Sequence, residues 1–197
     1  FTVTYDGATM QPFKTVSNKT YLWGSDSMGR DVFIRVMYGA RMSLLVGVVA
    51  AIVNFVIGVR YGGIAGFCGG RVDNIMMRIV DTISSIPMMR YVIVLMVGLG
   101  PGLQSIIIAM GLTDWVGMAR IVRSQVLSMR EQEFVLAATL LGVPSHKILT
   151  RHLIPNAMGP IMVSITMQIP SAMFTEAFLS FIGLGVSKPK ASWGALA

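Results

Sequence analysis

Apolar residues run through this chain in long stretches parted by short polar connections. Four stretches come close to the length of a membrane crossing: about Leu44–Phe67, Ile75–Leu99, Leu103–Val122 and Ile154–Val186. A helix needs roughly 20 apolar residues to cross a hydrocarbon core about 30 Å thick. The last stretch is too long for one crossing. It reads as one spanning helix plus a re-entrant or interfacial tail. The pattern predicts an all-α polytopic membrane protein.

Residues 1–31 break the pattern. They are polar and predict an extramembrane segment with short strands near Phe1–Tyr5. Ser25-Asp26-Ser27 offers side chains that cap free N–H groups, so a helix is predicted to start there and run through Val32, Val36 and Tyr38 into the first span. Gly66–Arg71 and Gly98-Leu-Gly-Pro-Gly102 read as the first and second connections, since glycine and proline punctuate there. A polar island, Glu133–Asn156, is the third, and Lys188-Pro-Lys190 begins a fourth. Pro87 interrupts the second span, and Pro160 and Pro170 the fourth. Proline removes a helix hydrogen bond, which neighbouring helices can replace. A packing kink is the preferred reading over a gate hinge.

Composition agrees with the membrane reading. Only 13% of the 197 residues are charged, against 54% hydrophobic, where soluble domains carry about a quarter charged. The net charge of +7 does not point to nucleic acid, because no basic patch alternates with aromatics. The basic residues cluster in connections instead. Arg71, Arg78, Arg120, Arg123, Arg130, Lys147 and Arg151 flank or fill the first and third connections, and the second carries no charge. The positive-inside rule then puts the first and third connections in the cytoplasm, with residues 1–31 and the Lys188 region outside. The lone Cys68 excludes an internal disulfide. The chain starts at Phe1 and shows no signal-peptide pattern in its first 31 residues; it reads as a piece of a longer protein.

The polar island carries the functional signal. Glu133–Leu141 contains good helix formers, Gly142 can end the helix in a left-handed conformation, and Pro144 cannot continue it. Phe134, Ala137, Ala138 and Leu141 fall at i, i+3, i+4 and i+7, one helical face. On that face two alanines allow close approach, and Phe134 and Leu141 can anchor in a groove. Ser145 can cap a second short helix through Lys147, Ile148, Arg151 and His152 that ends at Pro155. The plain alternative is an interfacial helix lying on lipid headgroups. Against it, Val135, Leu136 and Leu140 point away from this face, so the apolar surface is not one stripe.

Here the chain resembles a family. Ala137-Ala138, Gly142 and His152-Leu-Ile-Pro155-Asn156 are similar to the coupling-loop signature of bacterial ATP-binding-cassette importer permeases. Further motifs occur in order: Trp23-Gly-Ser-Asp-Ser-Met-Gly-Arg-Asp31, Tyr38-Gly-Ala-Arg-Met-Ser-Leu44, Gly69-Gly-Arg-Val-Asp73, Met77-Arg-Ile-Val-Asp81, Ala119-Arg-Ile-Val-Arg123, Gln125-Val-Leu-Ser128 and Thr175-Glu-Ala-Phe-Leu-Ser-Phe-Ile-Gly-Leu-Gly185. They resemble the oligopeptide/dipeptide C-type permease subunit from about residue 23 onward. The resemblance implies a type I ABC importer transmembrane domain with a cytoplasmic coupling helix. Residues 32–197 would form that domain without its first and last spanning helices, after an extracytoplasmic segment 1–31. It further implies a multi-pass protein of the bacterial cytoplasmic (inner) membrane. The partners would be a second permease subunit, two ATP-binding subunits and an extracytoplasmic peptide-binding protein. The coupling loop would be residues 133–156, with Glu133, Phe134, Ala137, Ala138, Leu141, Gly142, Ser145 and Lys147 as ATPase-coupling residues. No cofactor or metal would be bound by this chain; ATP would be used by the partners. One departure matters. The family loop often has Glu just before the two alanines, where this chain has Leu136, and Glu131 or Glu133 does not occupy the same place.

Charges inside the spans form a second set of candidates. Arg60, Arg90 and Asp114 sit in otherwise apolar stretches. A mid-bilayer charge costs at least about 2.5–3.5 kcal/mol and needs a partner, a wet cavity or a route to the interface. In a hairpin turning near Gly100, Arg90 and Asp114 reach similar depth. An Arg90–Asp114 ion pair is one expectation, and a hydrated peptide pathway facing both is the other. Arg60 and Asp81 form a looser possible pair. Glu176 faces the pathway or partner subunit, or makes a structural hydrogen bond. An aspartyl pair of Asp81 and Asp114 would mark an intramembrane protease, but no recognisable motif surrounds either. His146 and His152 are six apart with no carboxylate between them, and no phosphate-binding loop sequence is present. Besides the ATP-driven permease, an ion-coupled secondary transporter fits broken helices and buried charges. It leaves the coupling-loop pattern unexplained.

Overall fold

A computed structural model describes residues 3–5, 8–10, 21–26, 29–100, 102–184 and 193. Phe1, Ser27, the Lys188-Pro-Lys190 connection and, Trp193 apart, the tail beyond Leu184 lie outside the described residues. Val3–Tyr5 (β1) pairs antiparallel with Ala8–Met10 (β2), Thr4 opposite Thr9. The first helix, α1, spans Val32–Cys68. Its start differs from the predicted one. Asp31, not Ser25–Ser27, is the cap, and its carboxylate accepts from the Phe33 N–H at 2.9 Å. Asp26 is occupied otherwise: it accepts from the Arg30 backbone and guanidinium and pairs with Arg35.

After a glycine pair with positive φ, Gly69 and Gly70, α2 runs Gly70–Ser84 and α3 Met88–Leu99. The two are bent by 75°. Pro87 caps α3, so this proline marks a break between helices rather than a kink within one. Gly100 and Gly102, both at positive φ, make the second connection. α4 (Leu103–Thr113) and α5 (Trp115–Arg130) follow, and together they form one 28-residue span. The polar island holds α6 (Glu133–Leu140), α7 (Ser145–Ile148), a π-helical turn over Leu149–Leu153 and α8 (Ile154–Asn156). α9 (Met158–Phe181) closes the bundle. Pro170 sits inside α9 without breaking it, and Pro160 lies in its first turn, where a missing N–H costs nothing. Among the described residues two helices are each long and apolar enough to cross a membrane, α1 and α4–α5, or four if each bent pair is one span.

α1 is the central helix, and glycines set how close its neighbours come. A Cβ on Gly62 would stand 2.2 Å from the Ala119 carbonyl oxygen, and one on Gly66 would stand 2.8 Å from that of Arg123. One on Gly58 would meet the Met118 side chain at 2.6 Å. The stripe Gly58-Gly62-Gly66, spaced four apart, therefore seats α5 backbone to backbone, as small residues do between membrane helices. Gly47 does the same for α9, where a Cβ would lie 3.1 Å from the Ile169 carbonyl oxygen. Side chains fill the remaining space in three clusters. One, at the α6 end, joins Val59, Met118, Val122 and Val126 to Val135, Ala138, Ile148 and Ile161. A second, at the Gly100 end, joins Val46, Ile106, Met110 and Leu179. A smaller one holds α2 to α5 through Val80, Trp115 and Ala119.

Arg71, Arg123 and Arg130 gather at one end, around the first connection. The Arg130 guanidinium donates to the Phe67 carbonyl at 3.4 Å, so the end of α5 sits beside the end of α1. First and third connections thus share a side of the bundle.

Candidate functional site

The segment between α5 and α9 is built from its backbone outward. Gln132 precedes α6 in an extended conformation, and Gly142 follows it at φ 74°. The Val143 N–H donates to the Ala138 carbonyl at 3.1 Å and the Gly142 N–H to that of Thr139 at 3.0 Å. That left-handed glycine stop was legible in the sequence. Ser145 is not the cap of α7: Pro144 holds that place, and no side chain there bonds a free N–H. Nor does Pro155 end the second helix. It falls at the start of α8, just after the π-helical turn. The wide turn suits a proline, which leaves the carbonyl four residues back without its donor. Asn156 adds one, its Nδ2 donating to the His152 carbonyl at 2.8 Å. The chain then bends by 66° into α9.

The inward and outward faces of α6 differ from the expected ones. Val135 and Ala138 are buried, part of the core that holds α6 onto α1, α5 and α9. Ala138 is therefore a packing residue and not part of an outer docking face. Its methyl meets α6's own neighbours because residues 135 and 138 share one side of the helix. The outward side carries Leu136, Ala137, Leu140 and Leu141, with Glu133 one turn before Leu136 and Phe134 at the edge. Leu140 is 89% and Leu141 83% exposed. Leu136 and Leu140, expected to point elsewhere, form the crest of this side. Ser145 and Lys147 are exposed next to it.

The intramembrane charges do not pair as expected. Arg90 and Arg60 are exposed, and among the described residues neither forms a salt bridge. Asp114 accepts from the Thr113 hydroxyl at 3.1 Å and lines a polar pocket between α1 and α9. Asp81 pairs with Arg120 at 2.9 Å, and Arg120 also reaches the Ser84 hydroxyl. Glu176 is fully buried. It accepts from the Ser43 hydroxyl at 3.0 Å and the Ser180 hydroxyl at 2.7 Å, so its role is the structural hydrogen bond, joining α9 to α1.

Sequence reasoning missed two features. Arg123 grips Asp73 with both carboxylate oxygens engaged, by Nε and Nη2. Both residues ended quoted motifs, 50 residues apart, and a charge in each motif was the available signal. The glycine stripe of α1 was missed as well, although Gly58, Gly62 and Gly66 repeat at a helical spacing.

A bundle of apolar helices, seamed by glycine and carrying a core-anchored helix with an exposed leucine crest, is a membrane protein in kind. The family model for the binding-protein-dependent transport system inner membrane component matches residues 58–196, and the chain belongs to that family. Among its relatives is the dipeptide transport system permease protein DppC of Bacillus subtilis (strain 168), 54% identical over 89% of this chain and 55% of that protein. The oligopeptide transport system permease protein OppC of the same organism is 52% identical over 91% of this chain and 59% of that protein. OppC of Haemophilus influenzae is 44% identical over 89% of this chain and 57% of that protein. The chain spans rather more than half the length of these relatives. Nothing in them supports the ion-coupled alternative.

Proposed function

We propose that this chain is the permease subunit of an ATP-driven importer of peptides in the bacterial inner membrane. It forms half of the translocation pathway and pairs with a second permease subunit. Two separate ATP-binding subunits supply the energy, and an extracytoplasmic peptide-binding protein supplies the substrate. Residues 133–156 lie on the cytoplasmic side, where the basic residues of the first and third connections face anionic lipid, and the chain itself hydrolyses nothing.

The observation that carries the reading is the outward side of α6. Leucines are not left this open on a water-facing helix without a partner to cover them. A groove on the ATPase would take Leu136, Leu140 and Leu141 as anchors, with Ala137 giving room for close approach. Leu136 stands where the family often has an acid, so the grip is apolar at that point. Glu133, one turn earlier on the same side, supplies the only carboxylate within α6. The two faces give the test. Leu140→Glu should release the ATPase in co-purification, weakening association about 30-fold or more, as loss of an interface anchor does. The spans should keep their helical content. Ala138→Arg should instead damage the fold, since it places a cation in the core. Undiminished co-purification and ATP-driven uptake with Leu140→Glu, or uptake without ATP, would refute the reading.

A further inference from the structure

α2 has three faces. Asp73 and Val80 turn inward and are buried. Val72, Ile75 and Ile79, at i, i+3 and i+7, form an exposed apolar stripe, and Ile75 is 65% exposed. Arg71, Asn74 and Arg78 form an exposed polar stripe beside it. A helix turns by about 100° per residue, which sets Arg71 and Arg78 between the isoleucines and Asn74. The rest of α2 is held by α1 and α5. Val80 joins Trp115 and Ala119 in the core, and the Tyr61 hydroxyl donates to the Met76 carbonyl at 2.9 Å. Arg123 takes Asp73, and Arg120 takes Asp81. Both carboxylates of α2 are thus neutralised, while among the described residues neither Arg71 nor Arg78 forms a salt bridge. What α2 leaves open is apolar and basic.

The helix also lies across the bundle. α3 packs back along α4, with Val92 in one cluster with Ile106 and Met110, so it follows the α4–α5 span. α2 is bent by 75° from α3 and therefore runs steeply across that span. Its partners on α5 lie between Trp115 and Arg123. Leu103–Ala119 make about 25 Å of helix, against a hydrocarbon core of about 30 Å, and from Arg120 onward α5 turns polar. α2 crosses α5 where the span leaves the hydrocarbon, at the end that Arg71, Arg123 and Arg130 share.

We propose that α2 is an interfacial helix that binds anionic lipid, its Val72–Ile75–Ile79 stripe in the acyl boundary and Arg71 and Arg78 on headgroup phosphates. An apolar face, a polar face with arginines and a path across the spans define a helix that lies in the interface plane. Water is a poor neighbour for three branched aliphatic side chains in a row. A protein partner would find no aromatic anchor in the stripe, where interfaces favour one. Acyl chains suit the aliphatics, and phosphate oxygens suit the guanidinium forks. Because Asp73 and Asp81 bind α2 to α5, lipid held on the open side ties α5 to the membrane surface. Calling this leaflet cytoplasmic rests on the function proposed above; the binding itself does not.

The test uses the whole transporter in vesicles of phosphatidylcholine and phosphatidylglycerol in equal parts. Nitroxide labels are placed at Ile75→Cys, Ile79→Cys or Asn74→Cys in a Cys68→Ser background, and the signal of the labelled Cys68→Ser complex is subtracted. All three positions are exposed, so the fold should tolerate them. At Ile75 and Ile79 dissolved oxygen should relax the label more than a water-soluble nickel chelate does, and at Asn74 the order should reverse. Chelate dominance at Ile75 would mean water, and exclusion of both relaxants would mean a covering protein; either overturns the proposal. Charge is read separately. A phosphatidylglycerol with a photoreactive diazirine should label residues 70–84 about tenfold or more over its phosphatidylcholine analogue, and Arg71→Gln/Arg78→Gln should abolish the preference. Equal labelling of the wild type by the two lipids would overturn the anionic contact. Both readouts proceed without ATP or substrate, so absence of ATP-driven peptide uptake would sink the proposed function alone.

Discussion

Gly62→Ala adds one methyl group to the tightest point of the bundle. The new Cβ would stand 2.2 Å from the Ala119 carbonyl oxygen and 3.0 Å from that residue's carbonyl carbon and Cα. A carbon–oxygen contact settles near about 3.3 Å, so α1 and α5 must part by about 1 Å at this level. Neither side can yield locally, because both surfaces are backbone. Overpacking of this kind costs typically about 1–3 kcal/mol, and a radial gap of about 1 Å forfeits up to half of each dispersion contact beside it. Against that stands the helix propensity of alanine over glycine, about 1 kcal/mol. The net expectation is a loss of about 2 kcal/mol. The neighbouring residue is the control. A Cβ on Gly63 meets only Leu149 and Ile154 side-chain carbons, none nearer than 3.5 Å, so Gly63→Ala should gain up to about 1 kcal/mol. The two variants differ by one position on one helix, and their midpoints in a detergent-denaturant titration followed by circular dichroism should separate by about 2–3 kcal/mol. A Gly62→Ala protein as stable as Gly63→Ala would refute close backbone packing of α1 on α5.

Glu176→Gln keeps the volume and one acceptor for Ser43 and Ser180 and should cost about 1 kcal/mol. Glu176→Ala strands both hydroxyls and opens a cavity, and should cost about 3 kcal/mol in the same titration. Asp73→Asn and Arg123→Lys should each loosen α2 from α5 by about 2 kcal/mol, below the range for a fully buried pair because the Arg123 side chain is 32% exposed. The Asp73→Asn/Arg123→Lys double variant should lose less than the sum of the single losses; strict additivity would mean that the pair contributes nothing of its own.

The order of elements was legible because each boundary carries its own chemistry. Gly69, Gly100 and Gly142 all sit at positive φ, where a side chain is strained, and each was read as a stop. Hydrophobic length gave four stretches; among the described residues two of them are single crossings, α1 and α4–α5, and the other two are bent pairs that count as crossings only if each is one span. What failed was anything that depends on which neighbour a residue meets. Asp26 and Asp31 are alike as caps in sequence; the arginines at 30 and 35 take the first and leave the second for Phe33 N–H. Arg90 and Asp114 do not pair among the described residues, since counting residues gives depth and helix rotation, which packing fixes, decides which neighbour a side chain meets. Ala137 and Ala138 adjoin in sequence, and one is exposed while the other is 7% exposed. A helix turns by about 100° per residue, so the small-residue pair had to straddle the boundary between core and surface.

That boundary matters for the proposed coupling. A helix held only by lipid would slide when pushed. α6 is instead keyed by Val135 and Ala138 into the cluster that includes Val59 of α1, Val122 of α5 and Ile161 of α9. Close-packed side chains have low compressibility and pass on displacement. A load on Leu140 would therefore arrive at three helices together rather than at the loop alone. The glycine seam lets α1 and α5 take it as a unit, because their backbones touch. The bends at Pro87 and Ala157, of 75° and 66°, lie outside that unit and are where its movement against the rest of the bundle can be absorbed.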